Sequence, residues 1–237
     1  MARHFINTSS QYLDCGTSAL LVPGGAPFTL GCWARRTGNP AAIRQIINRI
    51  DAANALYSLR LNGTYNPIFQ VKADGGTQAT ITATETLSEN VWYALCAARE
   101  TSPAAQVRLY LNGIEVTGSP QSFASGLTLN TLSGAFTIGR KTDVTSRDWD
   151  GDLASAFFCN GVAATPQQAA DLARGLSPAA VFGAALTAWW PLIGVDSPEP
   201  DVVSALNATL MNSATWAEEP TETVAMTAAQ RRRRAPY

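Results

Sequence analysis

Lysine is almost missing from this chain: two of its 17 basic residues are Lys and the rest are Arg. Charged residues of all kinds make up only 15% of the 237, so Thr, Ser, Asn, Gln and Gly have to carry the surface. The net charge of −1 is unevenly placed: residues 220–237 hold four Arg and one Glu, for +3, which leaves −4 for the remainder. Outside that end no basic stretch could track a phosphate backbone, which argues against nucleic acid as a main partner. Histidine is reduced to His4, and the four cysteines (Cys15, Cys32, Cys96, Cys159) form no CxxC pair. A zinc site or a Cys/His nucleophile pair therefore has little to be built from. Each cysteine sits in an apolar, strand-like context, which predicts buried free thiols. Long apolar runs are missing too. MARHFINTSSQYL offers neither a signal peptide nor a membrane span, so a protein made in a cytosol is expected, without a membrane partner.

What is present is apolar residues, at 46%, in a chain long enough to bury a real core. They come mostly in short strands: FTLGCWARR (28–36), ALYSLRLNG (55–63), IFQVKADGG (68–76), TQATITATET (77–86), VWYALCAARE (91–100), QVRLYLNGIEV (106–116), AFTIGRK (135–141), DLASAFFCN (152–160) and LTAWWPL (186–192). Asn112-Gly113 between apolar residues is a hairpin signal, because a type I′ turn needs positive φ at both centres. Strands at about ten-residue spacing with turn residues between them predict an all-β sandwich or barrel. One helix stands out near residues 165–175. Thr165-Pro166-Gln167-Gln168 reads as a capping box with proline at the first helical position, and Gly175 ends the helix. Such a short helix is expected against the edge of the sandwich. After Trp216 the character changes: AEEPTETVAMTAAQRRRRAPY has little apolar periodicity. The reading is a domain over 1–216 and an extended arm over 217–237.

Several segments, in order, resemble the laminin-G-like, concanavalin A-like jelly-roll superfamily. YLDCGTSALLVPGGAPFTLGCWARR is similar to its opening, with Phe28, Thr29, Leu30 and Trp33. VWYALCAARETSPAAQVRLYLNGIEV resembles its central hairpin, FTIGRK its Ile-Gly strand, and WDGDLASAFFCNGVAATPQQAADLARG its glycine, strand and helix. AWWPLIGVDSPEPDVVSALNATLMNSA is similar to its return strand. The resemblance covers about residues 5–216 and implies a two-sheet antiparallel jelly-roll sandwich. Chains of this kind also resemble virion proteins of tailed bacteriophages, where such domains decorate capsids or form fibres and tail adhesins.

The densest cluster of chemistry is SRDWDGDLASAFFCN (146–160), with Asp148, Asp150 and Asp152 around Trp149 and Gly151. Alternation at i, i+2 and i+4 shares one face of a strand, as a carboxylate pair for glycoside hydrolysis requires. Gly151 interrupts it, however, and the Glu-x-Asp-x-x-Glu string of glucanases is absent. Glu85 and Glu89 read as a solvated loop. The resemblance implies calcium as the alternative, since laminin-G-like domains hold it at a sandwich rim. Asp143, Asp148 and Asp150 in KTDVTSRDWDGD would be its ligands. The plainest reading is a rim loop kept polar by its acids. Of the six tryptophans, Trp33, Trp92, Trp189 and Trp190 read as packing, and Trp149 and Trp216 as exposed, which makes Trp149 a candidate to stack on a sugar. Arg231, Arg232, Arg233 and Arg234, with the terminal Tyr237, read as an arm docking on an acidic neighbour. The function expected first is a non-catalytic structural module of a bacteriophage particle. It would act in the virion through other virion proteins and as a symmetric homo-oligomer. The alternative is a carbohydrate-binding adhesin, with or without calcium. A glycan hydrolase is the third and weakest reading.

Overall fold

The computed structural model describes residues 2–38, 42–50, 56–101, 106–122, 127–130, 132–141, 147–194, 197–218 and 220. Two antiparallel sheets face each other. The first runs in the order β10 (Ile114–Glu115), β9 (Gln106–Leu111), β8 (Trp92–Arg99), β3 (Phe28–Arg36), β13 (Gly151–Asn160), β1 (Ala2–Phe5) and β16 (Thr215–Ala217). To it β11 (Gln121–Ser122) adds beside β9, and β14 (Ala188–Trp190) beside β13. The second runs β15 (Thr209–Met211), β2 (Tyr12–Asp14), β12 (Phe136–Ile138), β4 (Arg44–Ile50), β5 (Leu56–Leu61), β6 (Pro67–Lys72) and β7 (Gln78–Thr82). This is the two-sheet sandwich that the sequence predicts. Among the described residues no helix is long and apolar enough to cross a membrane.

Alternation fixes which side of each strand is buried. In β3, Phe28, Leu30, Cys32 and Ala34 join the core, while Trp33 and Arg35 point outward. Between the sheets Phe28, Tyr57, Phe69, Phe136, Phe158 and Trp190 form one aromatic cluster, with ring centroids 5.2–6.3 Å apart in tilted, edge and stacked pairs. Arginines close the ends of the core. The fully buried Arg49 donates to the carbonyls of Thr17, Ser18 and Leu132. Arg3 pairs with the equally buried Glu199, which ties the first strand to a segment near the end of the chain.

The strand β4, RQIINRI, has no counterpart in the expectations, although it lies at the centre of the second sheet. A register shift between Gln45 and Ile47 sends both Ile46 and Ile47 into the core, and Arg49 takes an inward position. The bulge and the inward cation erase the alternation that marks a strand.

The helix α1 (Pro166–Ala173) has its capping box: Thr165 Oγ1 accepts from the Gln168 amide at 3.2 Å, and Thr165 N donates to Gln168 Oε1 at 2.9 Å. A second helix, α2 (Pro178–Phe182), follows, capped by Ser177. The pair does not sit at an edge, as expected of α1. It covers part of the outer face of the first sheet, over Cys96, Tyr110, Phe157 and Cys159. The Asn112-Gly113 turn has positive φ at both residues (51° and 76°) and lies beneath α1. A Cβ on Gly113 would stand 2.6 Å from the Cα of Ala170, so glycine is needed there for the approach as well as for φ.

Candidate functional site

The acid-rich stretch comes apart in three directions. Gly151, at φ 137°, begins β13 so close to β3 that a Cβ would collide with the carbonyl oxygen of Arg35. The acids on either side then diverge. Asp152 turns to the outer face of the first sheet, where Oδ1 meets His4 Nδ1 at 2.7 Å and Oδ2 accepts from Arg35 Nε at 2.6 Å. Asp148 is buried 3.5 Å from Arg140 Nε, and its backbone carbonyl accepts from Arg44 Nη1 at 3.1 Å. Burial pushes the Asp148 carboxyl up, against the pull of the Arg140 and Arg44 guanidiniums. Asp150 accepts from Asn7 Nδ2 at 3.1 Å, with Gly38 packed against it. Asp148, Asp150 and Asp152 thus share no strand face.

Calcium fits these two acids poorly. Arginine charge already meets Asp148, and among the described residues no three His, Cys, Asp or Glu side chains converge on one point. The third expected ligand, Asp143, lies outside the described residues. So do Arg231, Arg232, Arg233, Arg234 and Tyr237 of the expected docking arm.

Trp149 corrects the expectation of a sugar-stacking ring. It is 0% exposed, inside the main core, and its amide donates to the Gly139 carbonyl at 2.7 Å. The loop packs its one large apolar side chain inward because that removes the whole indole from water. Trp216, 62% exposed, is the open one of the two. Trp92 and Trp190 are buried, and Trp33 and Trp189 partly so. Glu89 is exposed and Glu85 half-buried, accepting from Thr117, in keeping with a solvated loop.

The polar arrangement that sequence reasoning missed lies on the outer face of the second sheet. Strand register places Asp14, Thr137, Asn48, Ser58, Gln70 and Thr80 side by side across six adjacent strands. Every residue of this row is polar. Beside it stands Gln45, paired with Arg60. Ser58 Oγ donates to Gln45 Oε1 at 2.9 Å, Arg60 Nη1 to Gln70 Oε1 at 2.8 Å, and Gln70 Nε2 to Gln78 Oε1 at 3.1 Å. Exposure falls along the face from Gln78 at the sheet edge, through half-buried Gln70 and Arg60, to Ser58 and Asn48, which is 0% exposed.

Hydrogen bonding on this face is incomplete. Among the described residues, Asn48 Nδ2 and Oδ1, Gln45 Nε2 and Arg60 Nε are buried without a partner. Each such group costs about 1–3 kcal/mol when it stays unmade. At the open end of the face, the amides of Gln70 and Gln78 both donate and accept, as vicinal hydroxyls do. The signal was present in the sequence as Asn48, Ser58, Gln70 and Thr80, each flanked by apolar neighbours. Only the pairing register aligns them.

Solved structures share the architecture at low identity. A putative carbohydrate binding protein from Bacteroides ovatus superposes with a TM-score of 0.63 at 17% identity, over 88% of this chain and 57% of that one. This chain thus spans little more than half of that relative. A heptameric SAP-like pentraxin from Limulus polyphemus gives 0.54 at 14%, over 71% and 77% of the two chains. The Ruminococcus gnavus IT-sialidase CBM40 bound to alpha2,3 sialyllactose gives 0.52 at 10%, over 65% and 84%. These likenesses carry the fold. No curated protein matches the chain. A family model does, over residues 7–168, and that span holds β2 to β13 of the sandwich and the polar face of β4 to β7. By that match over more than half its length, the chain belongs to the concanavalin A-like lectin/glucanases superfamily.

Proposed function

We propose that the chain is a non-catalytic carbohydrate-binding module that holds a glycan on the outer face of its second sheet. The observation that carries this reading is the row of polar side chains across six strands, which opens towards solvent at Gln70 and Thr80 with the exposed Gln78 beside them. A sugar ring laid over the open end of the row would exchange hydrogen bonds with the amides of Gln70 and Gln78. The strand ladder holds these groups in place, so little ordering entropy opposes binding. Solved relatives described as a putative carbohydrate binding protein and as a sialyllactose-bound module support the substrate class. The absence of a shared face for Asp148, Asp150 and Asp152 supports binding over hydrolysis. Placement on a phage particle rests on the sequence resemblance alone, and a glycan-binding surface is compatible with it.

The test is a glycan array followed by calorimetric titration of the best ligand. Gln70→Ala should weaken binding about tenfold or more, the loss of one to two hydrogen bonds, while its far-ultraviolet circular dichroism stays that of the parent. A Gln70→Ala protein that binds as tightly as the parent, or a parent that binds no glycan, overturns the reading.

A further inference from the structure

The outer face of the first sheet carries a register row of its own, beside the part that α1 and α2 cover. Pairing aligns Thr215, His4, Asp152, Arg35 and Trp92 across β16, β1, β13, β3 and β8. Asp152 is the buried centre of the row, and its two carboxylate oxygens hold His4 Nδ1 on one side and Arg35 Nε on the other. A carboxylate only accepts, so Nδ1 carries the imidazole proton and Nε2 of the neutral ring is an acceptor. Arg35 is braced a second time, with its guanidinium 5.1 Å from the centre of the Trp92 ring. Its Nη1 and Nη2 have no acceptor among the described residues. Neither these groups nor His4 Nε2 are buried: the His4 and Arg35 side chains are 29% and 22% exposed.

The next positions along the strands are small. Ala2 pairs with Ala217, and Trp33 stands between Ala154 and Ala94. Trp33 packs against Ala2, Ala154, Ala217 and Trp92 but is only half-buried, so part of its indole is open to solvent two residues along β3 from Arg35. Asp152 offsets Arg35, and with a neutral imidazole the row has no net charge, so an anion gains little there. An acceptor, a pair of donors and an aromatic surface side by side fit a pyranose, whose hydroxyls donate and accept around an apolar ring face.

We infer that this row is a second carbohydrate site, for an uncharged sugar. The ring's apolar face lies on Trp33, one hydroxyl donates to His4 Nε2, and a neighbouring hydroxyl accepts from the Arg35 fork. The braced side chains lose little freedom on binding. The inference stands apart from the second-sheet reading, and with both sites the chain is bivalent for glycan through its two opposite faces.

The test follows the indole N–H signals of the isotope-labelled full chain in nuclear magnetic resonance spectra during titration with maltose, cellobiose and lactose. The Trp33 signal is the one missing from Trp33→Phe. At least one of these neutral disaccharides should move it saturably. Arg35→Lys keeps a positive charge beside Asp152 but loses the fork, and should weaken that binding about tenfold. Should Arg35→Lys fail to fold, His4→Ala takes its place, with the same expected loss. Gln70→Ala should leave the response within about twofold of the parent, because Gln70 lies on the other sheet. A Trp33 signal that none of the three disaccharides moves overturns the inference. If Gln70→Ala still weakens the array ligand in that case, the second-sheet reading stands. A response that persists unchanged in Arg35→Lys, or in His4→Ala in its place, also overturns the inference. So does one that Gln70→Ala abolishes, since the sugar then sits on the second sheet.

Discussion

Single residues decide what the acid-rich stretch does. Asp148, Trp149, Asp150 and Asp152 sit together in sequence, yet each faces a different environment: the half-buried Arg140, the apolar core, the Asn7 amide, and the outer His4–Arg35 pair. Trp149 is the clearest case. Since its indole is fully buried, Trp149→Ala should lower stability by about 3–5 kcal/mol, as large aromatic deletions in cores do. Urea unfolding followed by circular dichroism measures this. A loss below about 0.5 kcal/mol, the range of surface changes, would mean that the ring is not packed as described. Nothing in the local sequence separates a tryptophan that turns in from one that turns out. Trp149 and Trp216 both stand in loop-like surroundings, and only one of them finds space in the core.

At the scale of elements, local chemistry was the reliable guide. The Thr165 capping box, the Asn112-Gly113 turn and the alternation of β3 depend on neighbours within a few residues, and all three are present. The β4 strand was illegible because its bulge and its inward Arg49 answer to β5 and to distant carbonyls. The helices give an independent check on which sheet face binds. Thr165→Ala removes the cap of α1 and should destabilise the protein by about 1 kcal/mol. Because α1 and α2 cover the first sheet and not the second, glycan affinity should stay within about twofold of the parent, less than the change expected from losing one hydrogen bond. Thermal denaturation and calorimetric titration of the same sample read the two effects. A large loss of affinity with this variant would move the binding face to the first sheet.

At the scale of the whole molecule, the core keeps the four cysteines from chemistry. All are free and buried, and burial raises each thiol, Cys159 to about 12. A thiol-specific chromogenic reagent at neutral pH should therefore leave the folded chain unlabelled over an hour and titrate four thiols in denaturant. Fast labelling of the native protein would contradict the packing. That outcome was legible from apolar context alone, as was the β-sandwich itself, because strand alternation and turn residues are written at short range. Closure of the first sheet was not. The strand β1 lies between β13 and β16, and Arg3 reaches Glu199, so segments from opposite ends of the chain complete one sheet and one buried ion pair. The same holds for the candidate site. The sequence by itself determined which residues are polar and which strands carry them. Only the tertiary structure decided that Asn48, Ser58, Gln70 and Thr80 lie in one row beside Arg60, because cross-strand register is set by the bulge in β4 and by the packing of the opposite faces.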